Sequence, residues 1–122
     1  MLSLASAALA SSVMGWLMRD GEVLASLEVA DTRRSRRRGL LGRDGIEGVL
    51  LLVPARSVHT LGMRFPIDVA WCDADLRVLR VAQLRPHRLS RPVARARSVI
   101  EAEVGSFARW GLTVGDVLER ED

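Results

Sequence analysis

The amino-acid sequence predicts a mainly β protein that folds as one domain. Short apolar runs bounded by glycine, proline and aspartate recur along the chain, and several of them alternate apolar with polar residues, which is the pattern of a half-buried strand. The 122 residues fit a single domain, and their content of 48% hydrophobic and 27% charged residues is typical of a folded globular protein.

Residues 1–14 are expected to form a tail ahead of a β domain at residues 15–122. The tail is apolar and contains an Ala-Leu-Ala triplet at residues 8–10 that resembles a signal-peptidase site, but no basic residue precedes it. Translation from Met14 is the preferred interpretation, and export through an atypical signal is the alternative. With one cysteine the chain cannot form an internal disulfide, which favours the cytoplasm.

The first two strands are predicted at residues 15–20 and 22–30, and the dipeptide Asp20-Gly21 joins them in a tight hairpin turn. The second strand alternates apolar and polar residues over most of its length. The strand-like alternation of apolar and polar residues ends at residue 33. Asp31 and Thr32 supply N-cap side chains there, so a short helix is predicted over residues 33–41.

This helix carries five arginines, and all 18 basic residues of the chain are arginine, which gives a sequence pI of about 10.8. The preferred interpretation is a solvated helix whose Leu40 and Leu41 dock on the sheet. Phosphate contact with nucleic acid is the alternative. It is not expected, because no aromatic side chain that could stack on a base is interleaved with the arginines.

The middle of the chain contains three predicted strands. Residues 49–53 are an unbroken apolar run, which is typical of a strand covered on both faces. Residues 67–72 form the next strand, and a turn then leads to a strand at residues 77–84. Arg80 interrupts the apolar side of that strand and indicates a bulge.

A surface loop is predicted at residues 85–97, followed by a strand over residues 96–104. Ile100 and Ala102 lie on its apolar face, and Glu101 is expected on the opposite, polar face. Gly105 ends this strand. Ser106 is predicted to cap one helical turn that ends at Gly111, and a turn at residues 114–116, which includes Asp116, leads to the last strand at residues 117–119.

Four motifs, in this order and spacing, make the chain similar to the domain-of-unknown-function 192 family (DUF192), also called uncharacterised protein family 0127 (UPF0127). They are Glu28-Val-Ala-Asp-Thr32, Arg38-Gly-Leu-Leu-Gly42, His59-Thr-Leu-Gly-Met-Arg-Phe-Pro-Ile-Asp68, and Val99-Ile-Glu-Ala-Glu-Val-Gly105 with Gly115-Asp116. The resemblance implies a compact antiparallel β-sandwich or squat barrel, near jelly-roll in topology, with one or two short helices. It implies no reaction.

One segment departs from the family pattern. Many relatives have Trp-Met-Lys-Asn-Thr where this chain has Leu61-Gly-Met-Arg-Phe65, so a role of the Asn-Thr pair cannot be transferred to it. Met63, Pro66 and Asp68 still match the family. Pro66, like Gly105 and Asp116 elsewhere in the chain, is assigned a structural role in a turn.

The candidate binding site is the stretch that surrounds the Leu61-Gly62 break. His59, Met63, Arg64 and Asp68 lie on its two sides, and their convergence would give the few polar groups and the apolar wall of a small-molecule site. The predicted partner is a small polar or anionic ligand, with no cofactor. Asp68 is also expected to be partly buried and to accept backbone N–H groups left free by the irregular loop.

Two other functional classes stay open. A hydrolytic or metal-assisted enzyme would use His59, Asp68 and Cys72, with His87 as a further ligand, but no catalytic or metal-binding motif is present, so no catalytic or metal residue is assigned. An arginine-rich interaction module would bind an acidic partner through the helix and the loop at residues 85–97. Its binding would weaken steeply with salt.

Overall fold

The computed structural model of the chain describes residues 14–122. Apart from Met14, the predicted N-terminal tail and its alternative as an export signal lie outside these residues. The described part contains seven strands and two helices: β1 Met14–Arg19, β2 Glu22–Ala30, α1 Arg33–Arg38, β3 Val49–Leu52, β4 Ile67–Cys72, β5 Val78–Leu84, β6 Ser98–Glu103, α2 Ser106–Trp110 and β7 Glu119–Glu121.

All seven strands belong to one sheet with the order β5-β4-β6-β3-β2-β1-β7. The predicted mainly β class with two short helices is confirmed. The sheet is mixed, because β2 and β3 run parallel while the other neighbouring pairs are antiparallel. It is not closed into a barrel, and its two edges approach each other through an isolated bridge between Arg77 and Val117.

The sheet is buried on both faces, and we name each face after a leucine that it buries. The Leu27 face packs against α2 and the segment that follows it. The Leu50 face is covered by the segments at residues 39–46, 58–63 and 93–96. Every residue of β3 is buried, as its unbroken apolar run predicted, because its side chains enter both cores. No helix in residues 14–122 is long and apolar enough to cross a membrane.

Most predicted elements lie within one or two residues of the observed ones. The first helix is shorter than predicted, because Gly39 ends it at Arg38 with a positive φ of 48°. Leu40 then turns into the core of the Leu50 face, where it is buried as expected. The predicted bulge near Arg80 is present as a register shift, since Trp71 pairs with Arg80 and Cys72 with Val78.

The N-terminus of α2 differs from the prediction. Gly105 occupies the cap position, and the Ser106 hydroxyl makes no capping bond. Asp68 of β4 performs this role instead: its Oδ2 accepts the backbone N–H groups of Gly105 and Phe107, both at 3.0 Å. Asp68 is buried, so these are charge-assisted hydrogen bonds out of solvent. Asp68 accepts backbone N–H groups as expected, but these groups belong to the start of α2 and not to the irregular loop before β4.

Replacement of Asp68 by alanine should destabilise the protein by roughly 1 to 3 kcal/mol, because the two buried N–H groups lose their acceptor. Denaturant unfolding of the purified variant measures this loss. Asp44→Ala is the matched control, since the Asp44 carboxylate is exposed and its one ion pair, to Arg64, lies at the surface. Equal stability of the two variants would contradict the capping role of Asp68.

Candidate functional site

A cleft of about 340 Å³ opens on the Leu50 face between α1 and the segment at residues 54–59. Arginines line it from both sides: Arg36, Arg37 and Arg38 belong to α1, and Arg56 lies opposite. Leu52, Val58 and Met63 supply an apolar wall, and Glu101 of β6 also lines the cleft. The cleft therefore combines cationic, apolar and acidic groups.

Local hydrogen bonds fix α1 at the edge of this cleft. Thr32 and Ser35 form a capping box, in which the Thr32 hydroxyl accepts the Ser35 N–H at 3.0 Å and the Ser35 hydroxyl accepts the Thr32 N–H at 3.0 Å. The Arg36 guanidinium donates to the carbonyl oxygen of Asp31 at 3.0 Å and to that of Val53 at 3.5 Å. Arg36 thus ties the helix to the end of β3.

The three other cleft arginines have no such partner. Within residues 14–122, the ion pairs use arginines elsewhere, namely Arg19, Arg43, Arg64 and Arg120. Arg37, Arg38 and Arg56 are exposed and pair with no carboxylate in this part of the chain. Three exposed arginines that line one cleft, without paired carboxylates in residues 14–122, favour a positive potential there, which attracts anions.

Glu101 is the unusual side chain of the site. It is only 3% exposed, and its Oε1 has no hydrogen-bond partner among residues 14–122. Its cross-strand neighbours, Leu50 on β3 and Val69 on β4, are apolar and buried. Burial raises the pKa of the Glu101 carboxyl to about 7, against the opposing effect of the nearby Arg43 charge.

Arg43 does not donate a hydrogen bond to Glu101, because the Arg43 guanidinium forms an ion pair with Glu28. It donates to both carboxylate oxygens of Glu28, at 3.1 Å and 2.7 Å, in a bidentate pair. A buried polar atom without a partner is rare in native structures, and a perturbed carboxyl in a cleft is a common mark of a binding or catalytic site. Glu101 is therefore the residue that makes this cleft a candidate site.

The sequence-predicted site residues are divided between the two faces of the sheet. Met63 is buried against the cleft and His59 lies at its exposed edge. Arg64 points to solvent and pairs with Asp44 at 2.9 Å. Asp68 belongs to the Leu27 face, where it caps α2. The structure thus brings together two of the four predicted binding residues.

The segment that carries His59 is held by its neighbours in the loop at residues 85–90. The Thr60 hydroxyl donates to the carbonyl oxygen of Arg85 at 2.6 Å and accepts the N–H of Arg88 at 2.9 Å. The N–H of Gly62 donates to Nδ1 of His87 at 3.2 Å. His87 and Thr60 therefore position the Leu61-Gly62 break.

Cys72 lies in the core of the Leu27 face and is fully buried. Burial, followed by the charge of Asp73, raises the pKa of its thiol to about 12, so the thiolate nucleophile is disfavoured. It shares that face with Asp68, as strand alternation predicted, whereas His59 lies on the opposite side of the sheet. No three His, Cys, Asp or Glu side chains of residues 14–122 are grouped to hold a metal ion.

Glu101 is not among the sequence-predicted site residues. Strand alternation placed its side chain on the polar face of β6, which is the correct face, but that face is buried under the segments at residues 39–46, 58–63 and 93–96. One signal was available: Glu101 stands between the apolar residues Ile100 and Ala102 inside a motif shared with the family. The arginines of α1 were interpreted as a solvated face; Arg37 and Arg38 are exposed, as this interpretation expects, and together with Arg36 they also line the cleft.

Comparison with known proteins identifies relatives across most of the described chain. The family model of DUF192, described as an uncharacterized ACR, matches residues 16–120. A UPF0127 protein of Thermococcus gammatolerans is 34% identical over 98 residues, which cover 75% of this chain and 64% of the relative. The UPF0127 protein PH1112 of Pyrococcus horikoshii is 33% identical over 91 residues, which cover 70% and 76%. The match thus spans less than two thirds of the Thermococcus protein.

Solved structures share the fold. A protein of unknown function from Novosphingobium aromaticivorans has a TM-score of 0.73 and 21% identity, with 88% of this chain and 84% of that chain covered. A protein from Sinorhizobium meliloti, described as a candidate transcription regulator, has a TM-score of 0.75 and 20% identity, with coverage of 90% and 95%. At these identities the likeness establishes the fold alone.

The raised pKa of Glu101 predicts a specific pH dependence of stability. The folded-state pKa of about 7 exceeds the unfolded value of 4.5, so the folded state holds a proton that the unfolded state has released. The contribution of Glu101 to stability therefore falls as the pH rises from about 4.5 to about 7. Between pH 5 and pH 8, Glu101→Gln should gain about 2 to 3 kcal/mol relative to the wild type.

Denaturant unfolding at the two pH values measures this difference. Glu103→Gln is the matched control, because Glu103 lies on the same strand and is exposed. The free energy of unfolding of this variant should change with pH as that of the wild type does. If Glu101→Gln also follows the wild type at both pH values, Glu101 has an ordinary carboxyl and the account of its burial is wrong.

Proposed function

The chain belongs to the DUF192 family, and from the geometry of its cleft we propose that it is a small-molecule-binding protein that takes a polar anion between α1 and the segment at residues 54–59. The observation that carries the proposal is the set of three exposed arginines, Arg37, Arg38 and Arg56, that line one cleft without a carboxylate partner in residues 14–122. A bound oxyanion would supply the missing partner.

Arginine is well suited to this task. Its planar guanidinium group presents parallel N–H donors that match the two oxygens of a carboxylate or two oxygens of a phosphate. Two of the three arginines are adjacent on α1, and the third lies across the cleft, so an anion between them contacts cations on both sides. Neutralisation of their mutual repulsion adds to the favourable free energy of binding.

The size and the apolar wall of the cleft favour a small ligand. Its volume of about 340 Å³ lies at the lower end of the range for small-molecule sites. Leu52, Val58 and Met63 offer contact to the carbon skeleton of a ligand, and the flexible thioether of Met63 can adapt to its shape. His59, at the edge, adds a hydrogen-bonding group to the polar part of the site.

A binding role for an extended polyanion is less well supported. α1 has only six residues, and the arginines share a concave opening with a buried acid, which disfavours the approach of a nucleic-acid backbone. No Phe, Tyr or Trp side chain is among the residues that line the cleft in the described part of the chain. Base stacking on these side chains, which contributes to single-strand binding, is therefore not available there.

The proposal predicts that small phosphates and carboxylates stabilise the folded protein and that the cleft arginines are required for it. A thermal-shift screen with inorganic phosphate, polyol phosphates, sugar acids and nucleotides identifies the compounds that raise the melting temperature. Replacement of Arg37, Arg38 and Arg56 together by glutamine should weaken binding of the best compound at least tenfold, because each lost charge-assisted hydrogen bond contributes on the order of 1.5 kcal/mol or more.

Isothermal titration calorimetry measures the affinities, and Arg33→Gln with Arg34→Gln is the matched control. These two arginines lie on the same helix and are exposed, but they do not line the cleft. Equal loss of binding in both variants would indicate a diffuse charge effect and contradict the site. Binding of DNA that falls steeply with salt, without binding of any small anion, would instead establish the interaction module.

A further inference from the structure

We propose that the ligand of this cleft is a hydroxylated oxyanion, whose oxyanion group contacts Arg37, Arg38 and Arg56 while one of its hydroxyl groups donates a hydrogen bond to Oε1 of Glu101. This inference rests on the proposed function and adds a hydroxyl group as the second part of the ligand that the protein recognises. Hydroxy carboxylates, such as sugar acids, and polyol phosphates share this chemistry. The observation that supports it is the buried carboxyl oxygen of Glu101, which has no hydrogen-bond partner among residues 14–122.

Oε1 of Glu101 is buried and accepts no hydrogen bond from the described part of the chain, although its residue lines the cleft. Its strand neighbours on both sides, Leu50 and Val69, have no donor to offer. Arg43, the nearby cation, is engaged by Glu28. A ligand that brings one donor to this depth therefore removes the cost of an unpaired buried acceptor, and a ligand without a donor leaves that cost in place.

Gly39 leaves room for such a group beside the carboxyl. A Cβ atom at this position would lie 3.8 Å from Oε1 of Glu101, so the missing side chain opens space directly next to the acceptor. The positive φ of 48° at Gly39 favours glycine, so the backbone disfavours a larger residue there. Gly39 itself lines the cleft.

The charges around the site select a neutral donor over a cationic one. An ammonium group would also donate to Glu101, but it would enter a site surrounded by positive charge. The cationic groups that line the cleft or lie near Glu101 are Arg36, Arg37 and Arg38 of α1, Arg43 of the following loop, and Arg56. A hydroxyl avoids this repulsion.

A hydroxyl also suits either protonation state of the acid. It donates to the carboxylate when Glu101 is ionised, and it accepts from the carboxylic acid when Glu101 is protonated. Burial brings the pKa of Glu101 to about 7, so both states are populated near neutral pH. A second anionic group of the ligand would be repelled by the ionised form. The oxyanion is therefore placed toward the arginines, and the hydroxyl toward Glu101.

The test compares pairs of anions that differ in their hydroxyl groups. Gluconate with hexanoate represents the carboxylates, and glycerol 3-phosphate with propyl phosphate represents the phosphates. Calorimetric titration of the full chain should give at least tenfold tighter binding of the hydroxylated member in one pair or both. The pair that responds distinguishes carboxylate from phosphate as the source of the oxyanion.

Variants at position 101 then test whether Glu101 causes the preference for the hydroxylated anion. Glu101→Met removes the acceptor while keeping an apolar side chain of similar length in the buried position, so the preference for the hydroxylated member should disappear. Glu101→Gln keeps one carbonyl acceptor and should retain part of the preference. Glu103→Gln, on the same strand but exposed, should retain all of it.

The outcomes separate this inference from the proposed function. If both members of a pair bind equally to the wild type, and the cleft arginines are still required, anion binding stands and the hydroxyl contact is wrong. If the preference persists in Glu101→Met, the hydroxyl is recognised elsewhere and the inference is overturned. If none of the four compounds binds at millimolar concentration, the anion site itself is wrong and this inference fails with it.

Discussion

Burial of the sheet on both faces is the constraint on which the rest of the structure depends. All residues of β3 and β4, and all of β6 except its last residue Glu103, are buried, so a carboxyl within these strands is removed from water. Removing an acid from water without a partner is costly. Two acids meet this condition, Asp68 on β4 and Glu101 on β6, and they lie on opposite faces of neighbouring strands.

The two acids meet this constraint in different ways. Oδ2 of Asp68 accepts two backbone N–H groups at the start of α2, although its Oδ1 has no partner among residues 14–122. Oε1 of Glu101 also lacks a partner there, and its residue lines the cleft on the Leu50 face together with exposed arginines. The capping contact and the proposed binding site therefore lie on opposite faces of one sheet.

Sequence patterns were sufficient for the features that depend on near neighbours. Period-2 alternation located the strands, and the apolar run of β3 indicated burial on both faces. The capping of α1 by Thr32 was also predictable, because N-cap bonds form within a few residues. These features carry little information about which distant segments meet.

The candidate site depended on such distant contacts, and the sequence could not supply them. The sequence alone predicts that Glu101 faces solvent, because it does not show that α1 and the segment at residues 54–59 lie beside Glu101 in the folded chain. Asp68 is near His59 in sequence, but strand alternation turns its side chain toward the Leu27 face. The resemblance to DUF192 indicated the correct fold and family, and the cleft emerged only from the packing of its loops.

The central claim is that Glu101, and not Asp68, faces the bound ligand. Carbon-detected NMR of the side-chain carboxyl groups, recorded while the tightest-binding hydroxylated anion is added to the full chain, tests it most directly. The account predicts that the Glu101 carboxyl resonance shifts in proportion to occupancy while that of Asp68 stays in place. A shift at Asp68 with no change at Glu101 would contradict it.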